Sequence, residues 1–390
     1  MSFTNYSSPE KLYYDIQVSN LENESSKPPN LSFIETRNNP FLYDTDKYYM
    51  SIIRFSLDTP GLPVFIPTIK PAPNTNVNLT IYSVTLEWTN SAAPHQTFTQ
   101  QTYITFIPQN QSADIPPPPT STSNGLQYNA GGYYYVYNYQ YFIYLINNAF
   151  TTCFNLLNAQ VIAAGLALPS THAPVMAFDT DNNTAIVNCD LAGYATTSAY
   201  PIKIYFNTPL TQLFSSFPCV LYGYNEPLGK NAQLITNSYQ NSNVIQYPPY
   251  LPTYNAIQVF QEFSTIALWC PVTSIVFTSN TLPIVSNQVS TPVIYAEGST
   301  VGSNGNNALI TQTITDFIAN DSIYKPQLIY EPSAQFRFIE LISNRPLNTF
   351  DLSVYWKDKT GQLNPFILSS GSTATIKVLF TKKNSAMNYK

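Results

Sequence analysis

Charge is what this chain has least of. Only 10% of its residues are Asp, Glu, Lys or Arg, where about 25% is usual for a globular protein. It holds two histidines, His95 and His172, and four widely spaced cysteines, Cys153, Cys189, Cys219 and Cys270, with no CxxC pair. That scarcity argues against both a zinc site and a disulfide scaffold. A Ser–His–acid triad needs a histidine oriented beside a nucleophile, yet both histidines lie in loop-like surroundings and no G-x-S-x-G is present. No G-x-G-x-x-G follows a strand and no Walker loop occurs, so nucleotide chemistry has no cradle. No apolar run approaches the roughly 20 residues of a membrane span. The opening MSFTNYSSPEKL has no apolar signal core. These absences predict a non-enzyme without cofactor, metal or membrane span. They also predict synthesis without a signal peptide in a reducing, cytosol-like compartment.

In place of charge stand Asn, Gln, Ser, Thr and aromatic residues, including 30 Tyr and 23 Phe. Disordered chains are poor in aromatics and usually rich in charge, so the chain folds. Low charge with abundant Tyr also describes surfaces covered by protein neighbours; the alternative is a bias of the source genome. Net charge is −5, which excludes bulk electrostatic binding of nucleic acid. The distribution is uneven. Residues 71–324 carry two basic and ten acidic side chains, whereas residues 325–390 carry nine basic and four acidic ones.

The stretch from Leu31 to Pro67 organises the reading. Its centre, Lys47 to Asp58, has the residue types of a long strand. A strict two-residue period puts Tyr49, Ile53, Phe55 and Leu57 on one face. Tyr48, Met50 and Ile52, then Arg54, Ser56 and Asp58, fall on the other. The strand should therefore be covered on both sides where it begins, by the polar 20–46 loop or a neighbouring subunit, and face water where it ends. Residues 11–19, 79–88, 352–357 and 374–380 alternate in the same way. From Asn138 to about Ala164, Phe142, Leu145, Ile146, Ala149, Cys153, Leu156 and Leu157 recur at helical spacing.

Three further groups invite chemistry. Asp179, Asp181, Asn183 and Asp190 fall at positions 1, 3, 5 and 12 of a calcium-loop pattern, but Thr184 replaces the glycine of position 6 and strands flank the loop, so a hairpin turn is the favoured reading. Lys377, Lys382 and Lys383 amount at best to a weak, salt-sensitive, sequence-independent DNA contact. Tyr133, Tyr134 and Tyr135 could stack on sugars, but burial beside the helix is the favoured use. No residue qualifies as catalytic.

Patterned strands at both ends predict a mainly β fold: a single antiparallel jelly-roll sandwich closed by its two termini, with a large insertion containing one helix. The expected bounds are 1–95 with 265–390 for the core, and 96–264 for the inserted domain.

One resemblance covers about residues 30 to 380. It is carried in order by RNNPFLYDTDKYYMSIIRFSLDTPGLPVFIP, TIYSVTLEW, YYYVYNYQYFIYLINNAF, FNTPLTQLFSSFP, SIVFTSNTLPIV, VYWKDKTGQLNPF and IKVLF. With these blocks the chain resembles the penton, or vertex, proteins of virophages and polinton-like double-stranded DNA viruses, the Sputnik type most of all. The resemblance implies a structural capsid protein of the virion, assembled in the host cytoplasm or virus factory. Its homopentamers would occupy icosahedral vertices among trimers of a double jelly-roll major capsid protein, with the insertion as an outer domain. It brings no catalytic residues. The basic C-terminal part would then lie towards packaged DNA and the acidic middle outward. A jelly-roll protein that binds glycans or a host receptor is the second reading.

Overall fold

The computed structural model of the chain describes residues 9–21, 30–70, 76–109, 132–236, 254–285, 288–289, 294–297, 300–303, 310–318, 326–331, 337–359 and 361–386. The chain divides into two compact units, Met1–Pro63 with Pro271–Lys390, and Val64–Cys270.

The first unit is built from Lys11–Ser19 (β1), Ser32–Thr36 (β2) and Tyr48–Asp58 (β3) before the insertion. After it come Val272–Thr278 (β12), Thr313–Ile318 (β17), Gln327–Tyr330 (β18), Ile339–Glu340 (β19), Thr349–Asp358 (β20), Leu363–Pro365 (β21) and Thr373–Lys382 (β22). Between β12 and β17 lie two short ladders, Gln288–Val289 (β13) with Ile310–Thr311 (β16) and Ile294–Glu297 (β14) with Thr300–Ser303 (β15). One sheet runs β1-β22-β3-β18 and the other β17-β12-β20-β2. That strand order is a single jelly roll. The terminal strands close it, paired without a break from Lys11↔Thr381 to Ser19↔Thr373. The second unit is inserted between β3 and β12.

Aromatic rings fill the space between the sheets. Tyr14 lies 5.8 Å from Phe350, and Phe55 lies 5.2 Å from Phe277 and 5.0 Å from Phe317. Aromatic pairs of this kind, two of the three edge-to-face, add to the free energy of apolar burial.

The organising strand departs from strict alternation. Val378 faces Ile52 while its neighbour Lys377 faces Arg54, so Ile53 is an extra residue, a β-bulge. The bulge changes the parity of the strand. Tyr48, Met50, Ile52, Phe55 and Leu57 all share the buried face, and Ile53 is half-buried. The expected grouping of Tyr49 and Ile53 with Phe55 and Leu57 is corrected accordingly. The second cover over the first half exists nonetheless. On the outer side Ser51, Leu379 and Thr381 are buried. Part of the cover comes from the segment before β20, where Phe338 lies 6.0 Å from Tyr49 and β19 pairs with Met50 and Tyr49. Arg54, in the second half, is exposed.

The second unit holds Leu79–Thr89 (β4), Thr97–Thr105 (β5), Val175–Asp179 (β6), Thr184–Asp190 (β7), Lys203–Phe206 (β8), Cys219–Leu221 (β9), Ala232–Leu234 (β10) and Ala256–Phe260 (β11). Its helices are Tyr139–Ala163 (α1), Leu191–Tyr194 (α2) and Thr208–Leu213 (α3). The strands form a five-stranded sheet, β5-β4-β8-β10-β9, and a three-stranded one, β11-β7-β6. Helix α1 starts at Asn138, whose side chain accepts the Tyr141 N–H at 2.8 Å, and stops before Gly165, at φ +73°. Tyr82 and Phe142 bring β4 against it, 5.8 Å between rings. Asn147 bonds both the N–H and the C=O of Met176, at 2.7 and 2.8 Å, and so tethers the first strand of the other sheet.

The units divide at 63/64 and 270/271, whereas the expected bounds were 95 and 265. The reason is β4, which pairs with β5 and β8 rather than with the sandwich. Other local differences are informative. Ser32–Thr36 is a strand, not loop; it is short, sits at a sheet edge and exposes Ile34. Leu156 is exposed, while Phe150, Phe154 and Val161 join the buried face of α1. Trp269, whose surroundings from Thr265 to Thr278 have the texture of a strand, instead caps a 3₁₀ turn and is buried in the second unit, 5.0 Å from Phe214. Pro116 to Pro119, a run of prolines that favours a stiff polyproline II segment, lie outside the described residues.

Candidate functional site

The residues singled out for chemistry are not brought together. Asp179 takes the N–H of Asp181 at 2.9 Å and the side chain of Asn182 at 2.7 Å, which fixes the turn between β6 and β7. Asp190 lies at the far end of β7, six residues beyond Thr184, or about 20 Å along the strand. It accepts from Ser170 Oγ at 2.6 Å and caps α2 through the Ala192 N–H. The four positions therefore form a hairpin, and no group of three or more His, Cys, Asp or Glu among the described residues could hold a metal. His95 stacks on Tyr200 at 5.5 Å and His172 on Tyr254 at 4.5 Å. Burial pushes the Cys153 thiol up to about 11 and that of Cys189 higher still, so neither is a thiolate at neutral pH.

Of the three lysines at the C-terminal end, Lys377 on the last strand and Lys383 just after it have carboxylate neighbours. Lys377 Nζ is 3.5 Å from Asp15, and Lys383 pairs with Glu340. Tyr133, Tyr134 and Tyr135 are all buried, which removes them as a sugar platform.

Two polar clusters organise the surface, and neither was visible in local sequence. Glu87 lies on the side of β4 away from α1. It accepts from Lys230 Nζ at 2.9 Å, Thr99 Oγ1 at 3.2 Å and Tyr205 OH at 3.2 Å, with Lys203 Nζ at 3.8 Å. Burial alone would raise its pKa; Lys230, Lys203 and Tyr205 outweigh burial and hold it below the ordinary glutamate value. Lys203 and Lys230 are the only basic residues between Lys70 and Lys325, so both positive charges of that long stretch are spent on one carboxylate. Their rarity was the available signal.

Lys230 ends a strap that crosses the sheet. Thr85 Oγ1 donates to the Leu228 carbonyl at 2.6 Å. Gly229, at φ +64°, lets the strap approach closely; a Cβ there would stand 2.6 Å from Gln101 Nε2 and 3.0 Å from Ser83 Oγ.

The second cluster is in the jelly roll. Asp351, at the start of β20, accepts from Ser279 Oγ at 2.5 Å, Thr281 Oγ1 at 2.7 Å, Thr281 N–H at 2.8 Å and Asn280 N–H at 2.9 Å. Burial acts to raise its pKa, but these donors prevail and lower it. The arrangement ties the turn after β12 to its neighbour strand. Both clusters hold strands and turns of the fold in place.

The profile of the Sputnik minor capsid protein V18/19 family matches residues 12–382. An uncharacterised protein, V18, of Sputnik virophage is 35% identical over 153 residues, which is 39% of this chain and 87% of that protein. The structural protein V19 of Sputnik virophage is 30% identical over 208 residues, 52% of this chain and 93% of that protein. A chain in the 3.5 Å cryo-EM structure of the Sputnik virophage superposes with a TM-score of 0.76 and 28% identity, covering 97% of this chain and 99% of that one. The crystal structure of the mavirus penton protein gives a TM-score of 0.58 at 16% identity over 96% of this chain and all of that one, a likeness of fold. With the jelly-roll strand order and a family match along nearly its whole length, this chain belongs to the Sputnik minor capsid protein V18/19 family and is a structural protein of a viral capsid.

Proposed function

We propose that this chain is a penton subunit: five copies close a ring at an icosahedral vertex of a double-stranded DNA virus, seated among trimers of a double jelly-roll major capsid protein. The observation that carries the reading is the single jelly roll with one large insertion between its third and fourth strands, a fold shared along 96% of the chain with a penton protein. A ring of identical subunits needs a heterologous contact that closes. A low-charge surface rich in Tyr suits such a contact. The role asks for no catalysis. The ion pairs of Lys377 and Lys383 leave a DNA contact at the C-terminal strand without support.

Native mass spectrometry of the purified chain tests this. The expected species is five times the 43.7 kDa subunit, with fivefold rings by negative-stain microscopy. A protein that stays monomeric at every concentration, or settles as a dimer or trimer, overturns the reading.

A further inference from the structure

Helix α1 is the longest described element, and it carries no charged residue from Tyr139 to Ala163. One of its faces is buried; the other is open to water. On the open face Tyr144, Thr151, Thr152, Asn155, Ala159 and Ile162 are all exposed, Tyr144 by 45% and Ile162 by 60%. At the α-helical repeat these six fall within about 100° of arc and span about 27 Å along the axis. They lie three, four or seven positions apart, so they form one continuous stripe. Leu156, 47% exposed, borders it.

The stripe is less polar than its residue types suggest. Thr151 Oγ1 donates to the Asn147 carbonyl and Thr152 Oγ1 to the Asn148 carbonyl, both at 2.9 Å. With the hydroxyls bonded back to the preceding turn, what these threonines offer a neighbour is their methyl groups. The stripe is also firmly held. Phe142 packs on Tyr82 of β4, and Asn147 tethers β6. Order of this kind favours association, because little conformational freedom is left to lose.

A helix face that stays in water ordinarily carries charged side chains. Depletion of charge marks the centre of a covered surface. Nucleic acid or a lipid surface would call for lysine and arginine here, and α1 has neither. Charge also points to the occupant. Val64–Cys270, just over half of the chain, carries three basic and seven acidic side chains, whereas the rest carries 14 and 15. Docking the stripe on the charge-rich jelly-roll unit would strip water from charges to which α1 offers no partner. The charge-poor second unit of another copy has little to desolvate.

We infer that the open stripe of α1 is a subunit contact that docks on the second unit of a neighbouring copy, so that the insertion takes part in closing the ring. The inference rests on the penton reading and specifies its contact.

The test compares wild type with the double variant Thr152→Lys/Ala159→Lys by native mass spectrometry, with circular dichroism to check folding. Both positions are exposed and lysine is a good helix former, so the fold should stand. The expected result is fivefold rings for wild type and folded monomers for the variant. Hydroxyl-radical footprinting of wild type adds a readout that needs no variant. Labelling of Tyr144, Leu156 and Ile162 should fall in the ring relative to dilute monomer, and a second segment within residues 64–270 should lose labelling with them. Rings that persist in the folded variant, unchanged labelling at all three positions, or further protection found only in the jelly-roll unit each overturn the inference and leave the penton reading intact. Wild type that never forms a ring overturns both.

Discussion

Lys230 reaches Glu87 across 143 positions of sequence, at 2.9 Å, and in doing so holds the strap from Pro227 to Gly229 over the outer side of the five-stranded sheet. Glu87 is buried, whereas the Lys230 side chain is 32% exposed. Replacing Lys230 by Met should therefore cost about 1–2 kcal/mol, less than the 3–5 of a fully buried pair. Urea denaturation at pH 7 measures it.

The same pair sets a pH dependence. Because the folded-state pKa of Glu87 is lowered, its stabilising contribution is fully present above the ordinary glutamate value. It fades as the pH falls below that value and through the lowered one. Glu87→Gln should flatten this part of the acid limb, seen as a smaller loss of urea midpoint between pH 5 and pH 3.

Asp351 makes a parallel case in the other unit. Asparagine in its place would present an NH₂ to the hydroxyls and amides of Ser279, Asn280 and Thr281, all of which now donate. The expected cost of Asp351→Asn is about 2–3 kcal/mol. It should shrink at low pH, where the lowered pKa of Asp351 means the carboxylate's own contribution is being lost. Equal costs at pH 7 and pH 3 would contradict the assignment.

The bulge at Ile53 separates two neighbours that a regular strand would rank the other way. Ile52 is in the sandwich core, 4% exposed, and Ile53 is half-buried at the bulge. Ile52→Asp should abolish folding, since it buries an unpaired charge. Ile53→Thr should cost under about 1 kcal/mol. Thermal melts of the two variants decide it; a reversed order removes the bulge.

Asn138 caps the long helix through the Tyr141 N–H. Asn138→Ala should cost about 1 kcal/mol, read as a lower thermal midpoint with unchanged helix content at 20 °C.

Much of the fold was legible because apolar periodicity reports burial directly. The strands at 11–19 and 374–380 alternate, and they pair across the whole chain to close the sandwich. The helix, read from Asn138 to about Ala164, runs from Tyr139 to Ala163. The hairpin around Asp179 followed from its turn residues. What failed did so for identifiable reasons. Ser32–Thr36 is a short edge strand, half-exposed, with no clean alternation to read. The two-residue period could not reveal that Ile53 is supernumerary, because a bulge is fixed by the register of the opposing strand and not by its own residues. The 79–88 strand was patterned as clearly as those of the sandwich, and pattern alone does not name a partner.

By itself the sequence determined the class: a β-rich, low-charge chain whose first and last well-patterned segments are strands. Those properties are local sums of residue type and period. Only the tertiary structure decided which strands share a sheet, where the insertion begins, and that Lys203 and Lys230 converge on Glu87. Each of these joins residues distant in sequence. Such contacts form when the whole chain can repay the entropy of closing long loops, which no local window of sequence can express.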